Sequence, residues 1–247
     1  MEAILRLNGV YGGYFARKPI LRDITFTVGR GEMIGLIGLN GAGKSTTIKH
    51  ILGLLKPQQG EIRITGRKLE DDPQAYRSSF AYVPESPELY EELSVRDHMR
   101  MTAMAYGIGS DVYERRSEEL LKLFRMEAKA DTLPRFLSKG MRQKAMIMCA
   151  FLVEPALYVI DEPFLGLDPL GIRSLLELMV EEKRKGASFL ISSHILSTIE
   201  SYCDGFVVLH HGDIVASGTL SDMNRTAGLQ NASLDDLFYA LVQGEER

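Results

Sequence analysis

The sequence has no basic excess: 29 Lys and Arg stand against 33 Asp and Glu, for a net charge of -4 at pH 7. Nothing in the charge therefore favours nucleic acid, whose protein partners carry a basic surplus or stripe. Cysteine is scarce. Cys149 and Cys203 are far apart and belong to no CxxC pair, which excludes a disulfide framework and fits a reduced, cytosolic setting. The first residues, Met1-Glu2-Ala3-Ile4-Leu5-Arg6, lack the basic-then-apolar pattern of a signal peptide. The longest apolar stretch, residues 145–160, is broken by Glu154-Pro155 and is too short to span a bilayer. A role at a membrane would need something else to hold the chain there. There is no internal repeat, heptad run or low-complexity segment.

What is present suits one large globular domain: 247 residues, 45% hydrophobic and 25% charged, are ample for a core. The chain is organised around Gly38-Leu39-Asn40-Gly41-Ala42-Gly43-Lys44-Ser45-Thr46. A short apolar run, Met33-Ile34-Gly35-Leu36-Ile37, precedes it as a predicted buried strand, and helical spacing follows it up to Lys56-Pro57. Strand, glycine loop, Gly-Lys-Ser and helix form the context of a phosphate-binding P-loop. The glycines let successive N–H groups turn inward around a polyphosphate, and the helix adds its positive end. Lys44 is expected to reach the β- and γ-phosphates and Ser45 to ligate Mg²⁺. The residues point to a nucleoside triphosphate.

Around that centre, residues 4–7 and 20–28 read as two antiparallel strands, and residues 61–66 as a third in the same layer. Between the first two lies Tyr11-Gly12-Gly13-Tyr14-Phe15. Two readings stand for this aromatic loop: stacking on an adenine ring, or capping the small sheet. Residues 80–83 form a short buried strand ending at Pro84-Glu85. From about residue 88 to 137 the pattern is helical, an inserted lobe with Ser94 and Asp111 as expected N-caps. Met99, Met101 and Met104 fall in its first helix, either as core filler or as an adaptable docking groove. Leu157-Tyr158-Val159-Ile160-Asp161 and Ser188-Phe189-Leu190-Ile191-Ser192 read as buried strands. Strands alternating with helices predict a largely parallel α/β sheet, whose ligands bind beyond the carboxyl ends of the strands. The P-loop, the pair Asp161-Glu162 and His194 all occupy such ends. A hairpin (206–216) and an amphipathic helix after Ser233 complete a tail over about residues 219–247.

An Asp ending an apolar strand beside a P-loop orients Mg²⁺, which prefers oxygen ligands and keeps several waters. Asp161 takes that role, and Glu162 is the natural general base toward water attacking the γ-phosphate. A lone His194 is open between a structural and a catalytic role.

GLNGAGKST (38–46), LSKGM (137–141), LYVIDEP (157–163), LGLD (165–168) and a histidine after the next strand resemble, in order and spacing, an ABC-transporter ATP-binding subunit. YVPE, LSKGMRQK and EPFLGLDPL are similar to the branch serving ABC-2-type exporters. The resemblance implies a single nucleotide-binding domain over residues 1–247, with a P-loop core, an N-terminal antiparallel β layer and a helical subdomain. It implies a Mg-dependent ATPase, peripheral on the inner face of the cell membrane, driving a separate transmembrane permease. It further implies a head-to-tail homodimer sandwiching two ATP. The P-loop of one subunit would then face Leu137, Ser138, Lys139, Gly140 and Met141 of the other. Tyr14, with Tyr11 second, becomes the adenine-stacking aromatic. Asp168 would contact the partner subunit, His194 would sense the γ-phosphate, and Glu85 with the helical lobe would receive the permease.

Two departures from the family pattern stand out. The usual LSGGQ has Lys139 in place of a glycine and Met141 in place of glutamine, while Gly140 survives; and Glu85 replaces the usual glutamine. Lys44, Asp161, Glu162 and His194 are all present, so neither change implies a dead ATPase. A soluble ribosome- or DNA-acting relative is disfavoured by the single domain and the missing heptads and basic patch. A regulatory module without turnover is disfavoured by Glu162. A P-loop kinase or GTPase leaves LSKGM without a task, and no Asn-Lys-x-Asp guanine-reading motif is found.

Overall fold

The computed structural model describes residues 3–15 and 18–243. The chain begins with β1 (Ala3–Gly12), β2 (Leu21–Gly29) and β3 (Met33–Ile37), then α1 (Lys44–Ile51), β4 (Gln59–Ile64), α2 (Pro73–Ser78) and β5 (Phe80–Val83). Three helices follow: α3 (Val95–Ala105), α4 (Ser110–Leu123) and α5 (Lys139–Leu152). Next come β6 (Leu157–Asp161), α6 (Pro169–Arg184), β7 (Ser188–Ser192), α7 (Leu196–Glu200), β8 (Gly205–His210), β9 (Asp213–Gly218), α8 (Leu220–Thr226) and α9 (Leu234–Gln243).

Two sheets form. The smaller runs β2-β1-β4, antiparallel throughout, and the larger runs β5-β6-β7-β3-β8-β9. The larger is parallel except for the edge hairpin β8–β9. Its central strands β3, β6 and β7 are buried at every position because both faces are covered. Along β6, Leu157 and Val159 pack with the antiparallel layer and α1, whereas Tyr158 and Ile160 pack with the helices α3 to α6. β3, β7 and β8 alternate in the same way. The sheet is thus the partition between two cores, and its carboxyl ends collect the polar residues.

The helical block has its own logic. Ser94 caps α3 through a reciprocal box with Asp97, which satisfies N–H groups that a helix start leaves open. Asp111 does not cap α4. Gly109, extended at φ -66° and ψ 154°, holds that position and the helix begins at Ser110. The three methionines divide: Met99 is fully buried, while Met101 and Met104 are 40% and 76% exposed. The aromatic loop is also shorter than its composition suggests. β1 runs on to Gly12, so Tyr11 is a strand residue paired with Gln59. The β8–β9 strands likewise extend inward and leave His211 and Gly212 as the turn, both at positive φ, the geometry that matches strand twist. Cys149 and Cys203 are free, and burial pushes each thiol up to about 12.

Candidate nucleotide site

A cavity of about 410 Å³ opens at the carboxyl end of the parallel sheet. The loop between β3 and α1 supplies Gly38, Leu39, Asn40, Lys44 and Ser45. Glu85 comes from the end of β5, Asp161 and Glu162 from β6, and Ser193 and His194 from beyond β7. Leu165, Leu196 and Phe238 complete the wall.

The loop side is backbone. Gly41 and Gly43 adopt φ of 82° and 115°, which L side chains resist. A Cβ at Gly38 would lie 2.5 Å from the Leu209 carbonyl oxygen, and one at Gly43 would lie 2.8 Å from Leu21 Cδ2. α1 starts at Lys44 with no side-chain cap and no acid in its first turn. Its leading N–H groups and its positive end therefore remain for an anion. The Lys44 ammonium is buried and donates to the carbonyls of Gly38 at 2.7 Å and Leu39 at 3.3 Å, so it stays inside the loop it closes. Ala42 and Thr46 are buried, while Asn40, Gly41 and Ser45 are exposed.

The opposite side is carboxylate. Asp161 and Glu162 are 5% and 9% exposed. Ser192, fully buried at the end of β7, donates its hydroxyl to Asp161 Oδ1. The same hydroxyl accepts the Glu162 N–H at 3.1 Å, and the Ser192 carbonyl accepts it as well, also at 3.1 Å. This grip holds Glu162 at φ 47°, a backbone region that costs a residue with a Cβ about 1 kcal/mol or more. Burial pushes the Asp161 carboxyl above its ordinary range; the Ser192 hydrogen bond opposes that shift, and Glu85 and Glu162 add to it. Glu162 Oε2 accepts the His194 backbone N–H at 3.1 Å and the ring Nδ1–H at 2.7 Å. Its Oε1 has no hydrogen bond among the described residues.

The donor set suits a hard cation. Asp161, Ser45 and Glu85 offer oxygen only, and among the described residues no group of three or more His, Cys, Asp or Glu could hold a metal alone. A partial oxygen set is what Mg²⁺ uses when waters and phosphates complete its shell.

The remaining motif residues lie outside this cavity. Tyr14 is 51% exposed, and its hydroxyl accepts from Lys49 Nζ on α1 at 3.0 Å. Ser138 is the N-cap of α5 and accepts the Met141 N–H at 3.2 Å. Leu137 is buried and Lys139 exposed. Gly140 sits where a Cβ would meet the Gly166 carbonyl oxygen at 2.4 Å, so this glycine is needed for packing within the subunit. Asp168 caps α6 through the Gly171 N–H at 2.6 Å and pairs with Lys144 of α5 at 2.8 Å. Gln143 of α5 donates to the Pro84 carbonyl at 3.3 Å, next to Glu85.

Sequence reasoning brought no attention to Ser192 or Phe238. A serine directly after the apolar run Phe189-Leu190-Ile191, at the carboxyl end of a buried strand, is a legible signal for the first. For the second there is none, since only folding carries α9 to this cavity.

A protein-family model for "ABC transporter" matches residues 21–165. The chain is 53% identical over 241 residues to the ABC-type transporter ATP-binding protein EcsA of Bacillus subtilis, covering 98% of this chain and 97% of that protein. It is 33% identical over 204 residues to the Nod factor export ATP-binding protein I of Bradyrhizobium diazoefficiens, covering 83% and 67%. A solved structure of the ATP-binding subunit of an ABC transporter superposes with a TM-score of 0.94 at 57% identity, covering 96% of this chain and 99% of that one.

Proposed function

The chain belongs to the ABC transporter family as an ATP-binding, ATP-hydrolysing subunit, and from that premise we propose how its residues work and what they drive. The observation that carries the reading is Glu162. Its carboxylate is hydrogen-bonded by His194 and shares one cavity with Lys44 and the P-loop.

The loop N–H groups and Lys44 hold the polyphosphate, in the cradle formed by residues 38–46. Tyr14 stacks on adenine, its ring held by Lys49. Ser45, Asp161 and Glu85 would hold Mg²⁺, directly or through water, and the bound ion would supply positive charge against the phosphates. Glu162 orients water and takes its proton, while His194 fixes the carboxylate and senses the γ-phosphate. Water adds to the γ-phosphorus, the bond to the β–γ bridging oxygen breaks, and ADP and phosphate leave.

Two subunits close head to tail, with Leu137, Ser138, Lys139, Gly140 and Met141 of one facing the ATP of the other and Asp168 at the contact. Support comes from the α5 N-terminus, where Ser138 and the N–H groups from Gly140 onward lie at the positive end of a 14-residue helix. Membrane attachment falls to a permease, since no described helix is long and apolar enough to cross a bilayer. The partner is of the EcsB type, by likeness to EcsA, and the chain is peripheral on the inner face of the membrane. The permease docks near Glu85 and on the helical block; a cleft between α2 and α3 lined by Pro73, Gln74, Arg77 and Met104, with Met104 76% exposed, supports the helical-block part of that surface. Likeness to an export protein favours export.

Glu162→Gln tests this assembly by light scattering after size exclusion. A dimer in ATP and Mg²⁺ that returns to monomer in ADP is the expected result. A mutant that stays monomeric while binding ATP would remove the sandwich.

A further inference from the structure

The C-terminal helix reaches the nucleotide cavity. α9 is anchored by Leu234 and Leu237, both fully buried in the core that the sheet shares with the helical block. Leu234 donates its backbone N–H to Glu200 Oε2 at 2.9 Å, a carboxylate placed against one of the open donors at a helix start. Glu200 ends α7, which begins two residues beyond His194, and α7 packs against α9. Phe238 stands four residues after Leu234, hence on the same helix face, and lines the cavity together with Glu162 and His194. α7 has only five residues, too few to hold a helix by itself. Its place, and that of the loop carrying His194, depends on what packs against it.

We propose that α9, through Phe238, is a positioning element for His194. The capped, core-anchored tail helix braces α7, and the aromatic ring closes the cavity wall that the histidine also lines. This rests on reading the cavity as the hydrolysis site. Phe238 touches no reacting atom in this role; it acts through His194, which holds Glu162.

The test compares full-length wild type, Phe238→Ala and Phe238→Leu by steady-state hydrolysis and by NMR of the histidine rings without nucleotide. The His194 resonances are identified by their loss in His194→Gln. Phe238→Ala is expected to lower kcat about tenfold with KM for ATP within about twofold, the pattern of a lost transition-state interaction. It should also shift the His194 ring signals and leave those of the other four of the 5 histidines in place. Phe238→Leu should restore most of kcat. Unmoved His194 signals with unchanged kcat would overturn the proposal, as would a change spread over all histidines with KM rising as far as kcat falls. Wild type without turnover would instead count against the hydrolysis reading, and the His194 signals would still decide the brace.

Discussion

The P-loop and the acidic wall face each other across one cavity, and both bend the backbone into the left-handed region with different residues. On the loop side glycine does so: Gly41 and Gly43 at φ 82° and 115°. The surface there is main chain, and Lys44 closes it by donating to carbonyls of the same loop, those of Gly38 and Leu39. On the acid side Glu162 does so at φ 47°, held by Ser192 from a strand 30 residues further on. The cradle is therefore preorganised by what its residues lack, and the wall by what distant residues supply. Binding and hydrolysis should then be separable by mutation, since the first needs the loop and the second needs the strand-to-strand grip.

Ser192→Ala puts the larger strain on this contrast. It removes one hydroxyl that serves both Asp161 and the Glu162 N–H. A lost buried hydrogen bond is worth about 1–2 kcal/mol, so turnover is expected to fall about tenfold with ATP affinity within a factor of about two. Equal losses in affinity and turnover would show that wall and cradle are one unit.

The smaller effect concerns acid and the cradle helix. His50 on α1 is 2% exposed, its Nδ1–H donates to the Thr46 carbonyl at 2.8 Å, and burial pushes its pKa below the ordinary 6.5. The unfolded chain then takes the proton first, so stability is full above that ordinary value and is lost as pH falls through it. Between about pH 7.5 and 5.5 the melting temperature of wild type should drop further than that of His50→Gln. Parallel curves would mean that His50 does not titrate with unfolding.

The same contrast governs what could be read from sequence. β3, β6 and β7 have the bounds that their apolar runs suggested, because burial on both faces leaves an uninterrupted signature. The loop was legible because its glycines, set between an apolar run and helical spacing, are the pattern itself. Short elements were not: α2 and α8, of 6 and 7 residues, span too few turns to show a period, although Asp72 before Pro73 is a cap signal. The methionine stripe showed helical spacing but not which face was covered, and only packing separates Met99 from Met104. Phe238 marks the limit, since an apolar helix face announces that it will be buried without saying against what.

The most direct test of separable binding and hydrolysis is a paired measurement on Lys44→Ala and Glu162→Gln. Each would be titrated with ATP at equilibrium and assayed for steady-state turnover beside wild type. Lys44→Ala is expected to lose affinity and, with it, turnover. Glu162→Gln is expected to keep wild-type affinity and lose on the order of a hundredfold or more in kcat. Glu162→Gln that hydrolyses ATP at the wild-type rate, or that loses affinity as Lys44→Ala does, would contradict the division of the cavity into a binding cradle and a hydrolytic wall.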